Sequence, residues 1–74
     1  MERYRVSIFA WGKNEPEIYE VRNLDASNEL EALTLAKVKY DFFATEQEKI
    51  KSPHYAVYYE VHKGEDCLYS SRGF

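Results

Sequence analysis

Residues 28–48, NELEALTLAKVKYDFFATEQE, contain neither glycine nor proline and are rich in leucine, alanine, glutamate and lysine. This composition favours a long α-helix, and Asn28 followed by Glu31 has the spacing of a helix-capping box. At about 100° per residue, one apolar stripe is expected to face the core. Its members are Ala32, Leu33, Ala36, Tyr40 and Phe43. The helix carries more apolar surface than one sheet requires, because a second stripe is formed by Leu35, Val38 and Phe42.

Two segments before this helix alternate between apolar and polar residues, a period typical of β-strands. The first strand is predicted over residues 3–11, with an inward row of Tyr4, Val6, Ile8 and Ala10. The second is predicted over residues 17–22, with Tyr19 and Val21 inward and Ile18, Glu20 and Arg22 outward. The break between them ends at Pro16, which suits the start of a strand, and predicts a hairpin.

Two further strands are predicted after the helix, over residues 54–62 and 67–72. The third strand would point Tyr55, Val57, Tyr59 and Val61 inward, and His54, Ala56, Tyr58, Glu60 and His62 outward. A two-residue turn at Gly64 and Glu65 predicts a hairpin register between the third and fourth strands. Its pairs are Lys63–Asp66, His62–Cys67, Val61–Leu68 and Glu60–Tyr69.

The predicted fold is therefore an α+β domain with the element order ββαββ, formed by residues 1–74 as a single domain. A right-handed crossover through the helix makes the third strand parallel to the second. If the third strand lies beside the first, every neighbouring pair is antiparallel and the order is 2-1-3-4. The long helix then packs on one face of the four-stranded antiparallel sheet, and the other face stays open.

Charge and cysteine content exclude several classes of protein. The chain has 74 residues, a net charge of −3 and one cysteine, so a disulfide framework and a multi-cysteine zinc site are excluded. No apolar run approaches the roughly 20 residues of a membrane-spanning helix. We therefore expect a cytoplasmic protein with no membrane association.

Aromatic residues make up 16% of the chain, more than a small core needs, so some are expected on the open face. Aromatic and arginine side chains together are typical of binding hot spots. The candidate binding residues on this face are Arg3, Arg5, Phe9, Trp11, Arg22, Tyr58 and Tyr69, with Ile18 beside them. The expected partner is a protein, either a different chain or a second copy. Alternatively, the tail Arg72-Gly73-Phe74 folds over the face.

Nucleic acid is the alternative ligand for an open aromatic sheet, since exposed rings can stack unpaired bases. The net negative charge disfavours it, because phosphate binding depends on basic groups. Three of the acidic residues form a candidate docking patch for a basic partner: Glu15, Glu17 and Glu20. The simpler interpretation of these carboxylates is a solvated sheet edge.

The predicted cross-strand neighbours His62 and Cys67 raise the question of nucleophilic catalysis. The sequence indicates neither a third orienting group nor an oxyanion donor, and a flat sheet lacks a pocket that excludes water. Because His54 and His62 are eight strand residues apart, about 26 Å, they cannot share one ion. The sequence therefore predicts a non-enzymatic protein without a metal site or a cofactor.

The run YEVRNLDAS at 19–27, followed by Glu31-Ala32-Leu33 and Ala36-Lys37, forms a strand-to-helix signature. It resembles small ββαββ proteins of phages and mobile elements, including anti-CRISPR proteins and DpnD/PcfM-like accessory proteins. The resemblance implies a stoichiometric inhibitor or accessory protein, and it assigns no functional residue. The leading hypothesis is thus a protein–protein interaction module that inhibits a host nucleic-acid-processing complex. The alternatives are a nucleic-acid-binding sheet and a small bacterial structural or dimerisation domain.

Overall fold

The computed structural model describes residues 1–73 and confirms the order ββαββ. The elements are β1 (Glu2–Trp11), β2 (Pro16–Ala26), α1 (Glu29–Lys49), β3 (Ala56–Lys63) and β4 (Asp66–Ser70). The strands form one sheet in the order β2-β1-β3-β4, and every neighbouring pair is antiparallel. The architecture is therefore the predicted α+β fold, with α1 on one face of the sheet.

Side-chain and backbone caps fix both ends of α1. At the start, the Oδ1 of Asn28 accepts a hydrogen bond from the backbone N–H of Glu31 at 2.9 Å, and Glu31 in turn accepts one from the N–H of Ser27. At the end, the N–H groups of Lys51 and Ser52 donate to carbonyls of the last turn, in the pattern of a Schellman motif. Lys51 adopts a φ of +53°, a conformation that usually belongs to glycine.

The core lies between α1 and the covered face of the sheet. Ala32 and Ala36 of α1 are fully buried. Their small side chains let the helix approach the strands closely. The buried cluster also contains Tyr4, Val6, Ile8, Leu24, Ala26, Tyr59 and Val61. The inward row predicted for β1 is confirmed. The first apolar stripe of the helix faces this core, whereas the second stripe remains exposed.

A β-bulge in β2 reverses the alternation that the sequence predicts. Glu20 pairs with Ile8, and the next pair along β1 skips Tyr19, which is the extra residue. Beyond the bulge, Arg22 lies opposite the buried Val6 and so shares the helix-covered face. The prediction that Arg22 lies on the open face is wrong, because one inserted residue moves every later side chain to the other face.

The same bulge corrects two more expectations for β2. Val21 lies opposite Ser7 on the open face and not in the core. Glu20, expected to point outward, lies on the helix-covered side. The strand also continues to Ala26, four residues beyond its predicted end, and thereby adds Leu24 and Ala26 to the core.

A second bulge lies near the start of β3. Tyr58 pairs with Phe9 and Ala56 pairs with Ala10, so Val57 is the extra residue. Val57 is 37% exposed, and its predicted place in the inward row is wrong. Ala56, predicted outward, lies opposite a buried alanine on the covered face.

A third bulge lies in β4, and the predicted pairs of the β3–β4 hairpin are correct only between this bulge and the turn. The pairs Lys63–Asp66 and His62–Cys67 next to the turn are confirmed. Gly64 has a φ of +62°, as the first residue of this turn requires.

Beyond these two pairs, Leu68 is the extra residue of β4, and Tyr69 pairs with Val61. Because Val61 is in the core, Tyr69 lies on the helix-covered face, with its ring centroid 5.7 Å from that of Tyr59. The prediction of Tyr69 on the open face is therefore wrong, as are the predicted pairs of Leu68 and Tyr69.

Candidate functional site

The open face of the sheet is the face that α1 does not cover. Cross-strand pairing places these side chains there: Arg3, Arg5, Ser7, Phe9, Trp11, Ile18, Val21, Asn23, Asp25, Tyr58, Glu60, His62, Cys67 and Ser70. Five of the seven predicted binding residues are among them, all but Arg22 and Tyr69. The face has an aromatic half and a polar half.

The aromatic half is organised around a stacked pair. The rings of Phe9 and Tyr58 are nearly parallel, at an angle of 7° and a centroid distance of 4.3 Å. The guanidinium carbon of Arg72 lies 4.4 Å from the centroid of the Tyr58 ring, a cation–π geometry. Tyr58 is therefore buried beneath Arg72 and is not itself available to a partner. Arg72 thus lies on the open face, as the tail alternative expected, whereas Phe74 of that tail lies outside the described residues.

A second aromatic pair stands at the rim of the sheet. The ring of Trp11 stacks on that of Tyr55, with a centroid distance of 6.1 Å and an interplanar angle of 5°. The backbone N–H of Trp11 donates a hydrogen bond to the backbone carbonyl of Tyr55 at 2.8 Å. The Nδ1 of His54 lies 3.0 Å from the carbonyl oxygen of Trp11, which fixes the backbone further. Tyr55 was expected in the core, and the bulge at Val57 explains why it lies beside Trp11 and is exposed instead.

Apolar residues of β2 extend these two pairs into one patch. Ile18 lies opposite Phe9 and is 60% exposed, and Pro16 lies opposite Trp11. We refer to Phe9, Trp11, Pro16, Ile18 and Tyr55 as the aromatic corner. Its side chains are held by stacking and strand pairing, yet several remain open to solvent.

The polar half of the open face contains both signs of charge. Arg3 forms an ion pair with Asp25 at 3.3 Å. Arg5 pairs across the strands with His62, is exposed, and forms no ion pair with residues 1–73. The positive charge of this face is thus partly neutralised by its own carboxylates.

Glu60 is the residue of the polar half that sequence reasoning missed. Its Oε1 lies 3.1 Å from the Nε2 of His62, so His62 does have an orienting carboxylate. The Sγ of Cys67 donates to the carbonyl of Tyr69 at 3.6 Å. The donor atoms of Glu60, His62 and Cys67 all lie within 4.8 Å of one another. The signal was present in the sequence, because Glu60 precedes His62 by two residues and must share its face.

Two of the three residues of the predicted acidic patch, Glu17 and Glu20, lie on the helix-covered side of β2. Glu20 lies on the helix-covered side, where it forms an ion pair with Arg22 at 2.8 Å. Glu17 lies opposite Ala10, also on that side, and Glu15 lies in the β1–β2 turn. Glu15 and Glu17 are exposed, and their binding to a basic partner stays a prediction.

A groove of about 440 Å³ runs between β2 and α1. It is lined by Glu20, Arg22, Val38, Lys39, Phe42, Phe43 and Glu46. Val38 and Phe42 of the second apolar stripe line it, and Phe42 is 69% exposed there. This groove is the alternative to the aromatic corner as a surface for binding a partner.

Comparison with known proteins yields no relative: no family model matches the sequence, and neither a curated protein nor a solved structure does. Within residues 1–73, no helix combines the length and the apolar character that are needed to span a membrane. The function is therefore argued from the surface of the chain itself.

Proposed function

We propose that this chain is a non-enzymatic protein-binding module and that it binds its partner through the aromatic corner. The observation that carries the proposal is the rim pair in which a half-buried Trp11 stacks on an exposed Tyr55, beside an exposed Ile18. None of these three side chains belongs to the buried core cluster. Because Tyr55 and Ile18 are exposed and Trp11 is only half-buried, the rim leaves apolar surface free, which favours a role in contact.

The physical properties of the corner suit a protein interface. Aromatic side chains bury a large area while losing few rotatable bonds, and hot spots are enriched in tryptophan, tyrosine and arginine. The stacking of Trp11 on Tyr55 and the hydrogen bonds to its backbone hold the ring before a partner arrives. Such preorganisation reduces the entropy that association must spend. Arg72, which lies over the Tyr58 ring beside Phe9, supplies a polar group next to this apolar centre.

Charge favours a protein partner over nucleic acid. Arg3 is held by Asp25, and Glu60 lies on the same face. Phosphate groups of a bound strand would approach both carboxylates, and the net charge of −3 adds no general attraction. A nucleic-acid-binding sheet therefore remains the second candidate, supported by the exposed rings alone.

The resemblance of residues 19–43 to small phage and mobile-element proteins supports a finer proposal. On this proposal the chain is a stoichiometric inhibitor that binds a nucleic-acid-processing complex of a host cell and works in the host cytoplasm. A small bacterial dimerisation domain is the other possibility, in which the corners of two copies stack against each other.

Affinity capture with three forms of the chain tests the binding proposal. Wild type, Trp11→Ala and Phe42→Ala are immobilised and exposed to lysate, and captured proteins are identified and then purified for direct binding. We expect a partner that wild type and Phe42→Ala retain and that Trp11→Ala loses. Phe42 is the matched control because it is an aromatic residue outside the buried core cluster that lies in the helix groove. Retention by Trp11→Ala with loss by Phe42→Ala would place binding in the groove and refute the proposal.

Two further readouts separate the candidate partners. Sedimentation of the purified chain shows whether a second copy is the partner. Binding to single-stranded nucleic acid would weaken steeply and log-linearly with salt, whereas a mixed aromatic protein interface responds less. An inhibitor is supported only if the captured protein acts on nucleic acid and loses activity in proportion to the added chain.

A further inference from the structure

The hairpin of β3 and β4 brings three metal-binding side chains together on the open face. Glu60 and His62 are two residues apart on β3 and therefore point to the same side. Cys67 on β4 is the direct cross-strand partner of His62. Their carboxylate oxygen, ring nitrogen and sulfur atoms all lie within 4.8 Å of one another. One short hairpin thus supplies a carboxylate, an imidazole and a thiol at one point.

We propose that Glu60, His62 and Cys67 bind one Zn²⁺ ion, with water as the fourth ligand. Carboxylate oxygen, imidazole nitrogen and thiolate sulfur are the three ligand types that zinc takes in proteins, at about 2.0–2.3 Å. Tetrahedral geometry at those lengths separates the ligand atoms by about 3.3–3.7 Å. Nε2 of His62 and Oε1 of Glu60 already lie 3.1 Å apart. The Sγ of Cys67 lies within 4.8 Å of both atoms and has to move closer to them to complete the set.

Charge and accessibility fit a divalent cation. When zinc binds, bonds form from the ion to Glu60 Oε1, His62 Nε2 and Cys67 Sγ, and the hydrogen bond between Nε2 and Oε1 breaks. The bound His62 ring is neutral with its one proton on Nδ1, and the thiol proton of Cys67, now directed at the Tyr69 carbonyl, leaves to solvent. The thiolate and the Glu60 carboxylate together balance the two positive charges of the ion. Arg5, opposite His62, opposes binding, but its side chain is exposed and can extend into water. The side chains of His62 and Glu60 are 17% and 24% exposed, so they are ordered yet reachable.

The competing interpretation is an ordinary ion pair between Glu60 and His62, in which Cys67 has no part. The two interpretations differ in what they require of the sulfur. A zinc site loses a ligand when Cys67 is replaced, whereas an ion pair is unaffected by that replacement. The experiment therefore centres on the thiol.

Cobalt titration of the reduced chain tests the site, because Co²⁺ takes the place of Zn²⁺ and is coloured. We expect one Co²⁺ per chain and a thiolate-to-cobalt charge-transfer band in wild type. Cys67→Ser should abolish that band, and Cys67→Ser and Glu60→Gln should each weaken binding at least tenfold. His54→Gln is the matched control, since it removes the other histidine and should leave binding unchanged. Competition with Zn²⁺ should bleach the band.

Stability gives an independent readout, because a ligand that binds the folded state raises the melting temperature. Zn²⁺ should raise the melting temperature of wild type and His54→Gln, and should raise that of Cys67→Ser much less. Equal binding by Cys67→Ser, loss of binding in His54→Gln, or a stoichiometry of two chains per ion would each overturn the single-chain site. These results do not depend on whether the aromatic corner binds protein.

Discussion

Replacing Val61 by alanine tests the face assignment of β3, with Val57→Ala as its matched control on the same strand. Val61 is fully buried in the core cluster, whereas Val57 is 37% exposed and is the extra residue of a bulge. The alternation of the sequence alone puts both valines in the same inward row. The two substitutions remove the same atoms, so any difference between them reports on burial.

The magnitude follows from the atoms that are removed. Two buried methyl groups account for about 1.6 kcal/mol of transfer free energy, and the cavity left at Val61 adds up to about 1 kcal/mol. A domain of this length has a free energy of unfolding of about 4–11 kcal/mol. Val61→Ala should therefore lower the melting temperature by about 6–20 °C. Val57→Ala should cost less than about 1 kcal/mol and shift it by a few degrees.

Thermal unfolding followed by circular dichroism measures both variants against wild type. Denaturant titration then gives the two free energies with a common slope, if the unfolded states are alike. Equal losses at Val57 and Val61 would show that the bulge is absent and that the simple alternation holds. The aromatic corner would then lose Tyr55, which reaches the rim only because of that bulge.

Three further predictions concern the caps and the tyrosines. Lys51→Gly should stabilise the fold by about 1 kcal/mol in denaturant titration, because glycine relieves the positive φ at the end of α1; a loss of stability would contradict the Schellman motif. Asn28→Ala should cost about 1 kcal/mol in the same assay, since the cap on the N–H of Glu31 is lost; no change would contradict the cap. Burial raises the pKa of Tyr59 and of Tyr40 above the ordinary value of 10.0, so the folded state holds their protons more tightly. Their contribution is fully present below pH 10 and is lost as the pH rises through the folded-state pKa, so Tyr59→Phe should flatten the alkaline loss of stability, and an unchanged slope would argue against burial.

The architecture could be predicted from the sequence because its determinants are local or follow from handedness. The helix is marked by the absence of glycine and proline from 28–48 and by Asn28 at its cap. The strand order follows once the crossover through the helix is right-handed. The turn at Gly64 fixes the two nearest pairs of the second hairpin. Each of these steps needs only a short stretch of sequence.

The faces of β2, β3 and β4 could not be predicted in full, because a bulge in each of these strands inserts one residue. No glycine or other local sequence signal marks the bulges at Tyr19, Val57 and Leu68. The sequence around them therefore reads as ordinary β-strand. Packing decides their place, because Tyr19 contacts Phe43 of α1 at a centroid distance of 5.1 Å and Leu68 packs against the core. These contacts join residues that are far apart in the sequence, so the local alternation of a strand does not reveal them.

Candidate site residues on the regular strand β1 could be placed from the sequence, whereas those beyond a bulge could not. Phe9 and Trp11 lie on β1, whose alternation toward the helix is regular, and their open-face placement is confirmed. Arg22 and Tyr69 lie beyond bulges, and they moved to the covered face. Glu60 could be placed beside His62 from their two-residue spacing, and Cys67 opposite His62 from the turn register, so the sequence contains the information for this cluster.

The central claim is that Trp11 contributes to binding and not to folding. The measurement is the affinity of purified Trp11→Ala for the captured partner, or for itself, together with its melting temperature. We expect a loss of affinity of about 30-fold or more, corresponding to about 2 kcal/mol, with a melting temperature within a few degrees of wild type. Collapse of the fold would show that Trp11 is a core residue. Unchanged affinity in a folded variant would show that the aromatic corner is not the binding surface.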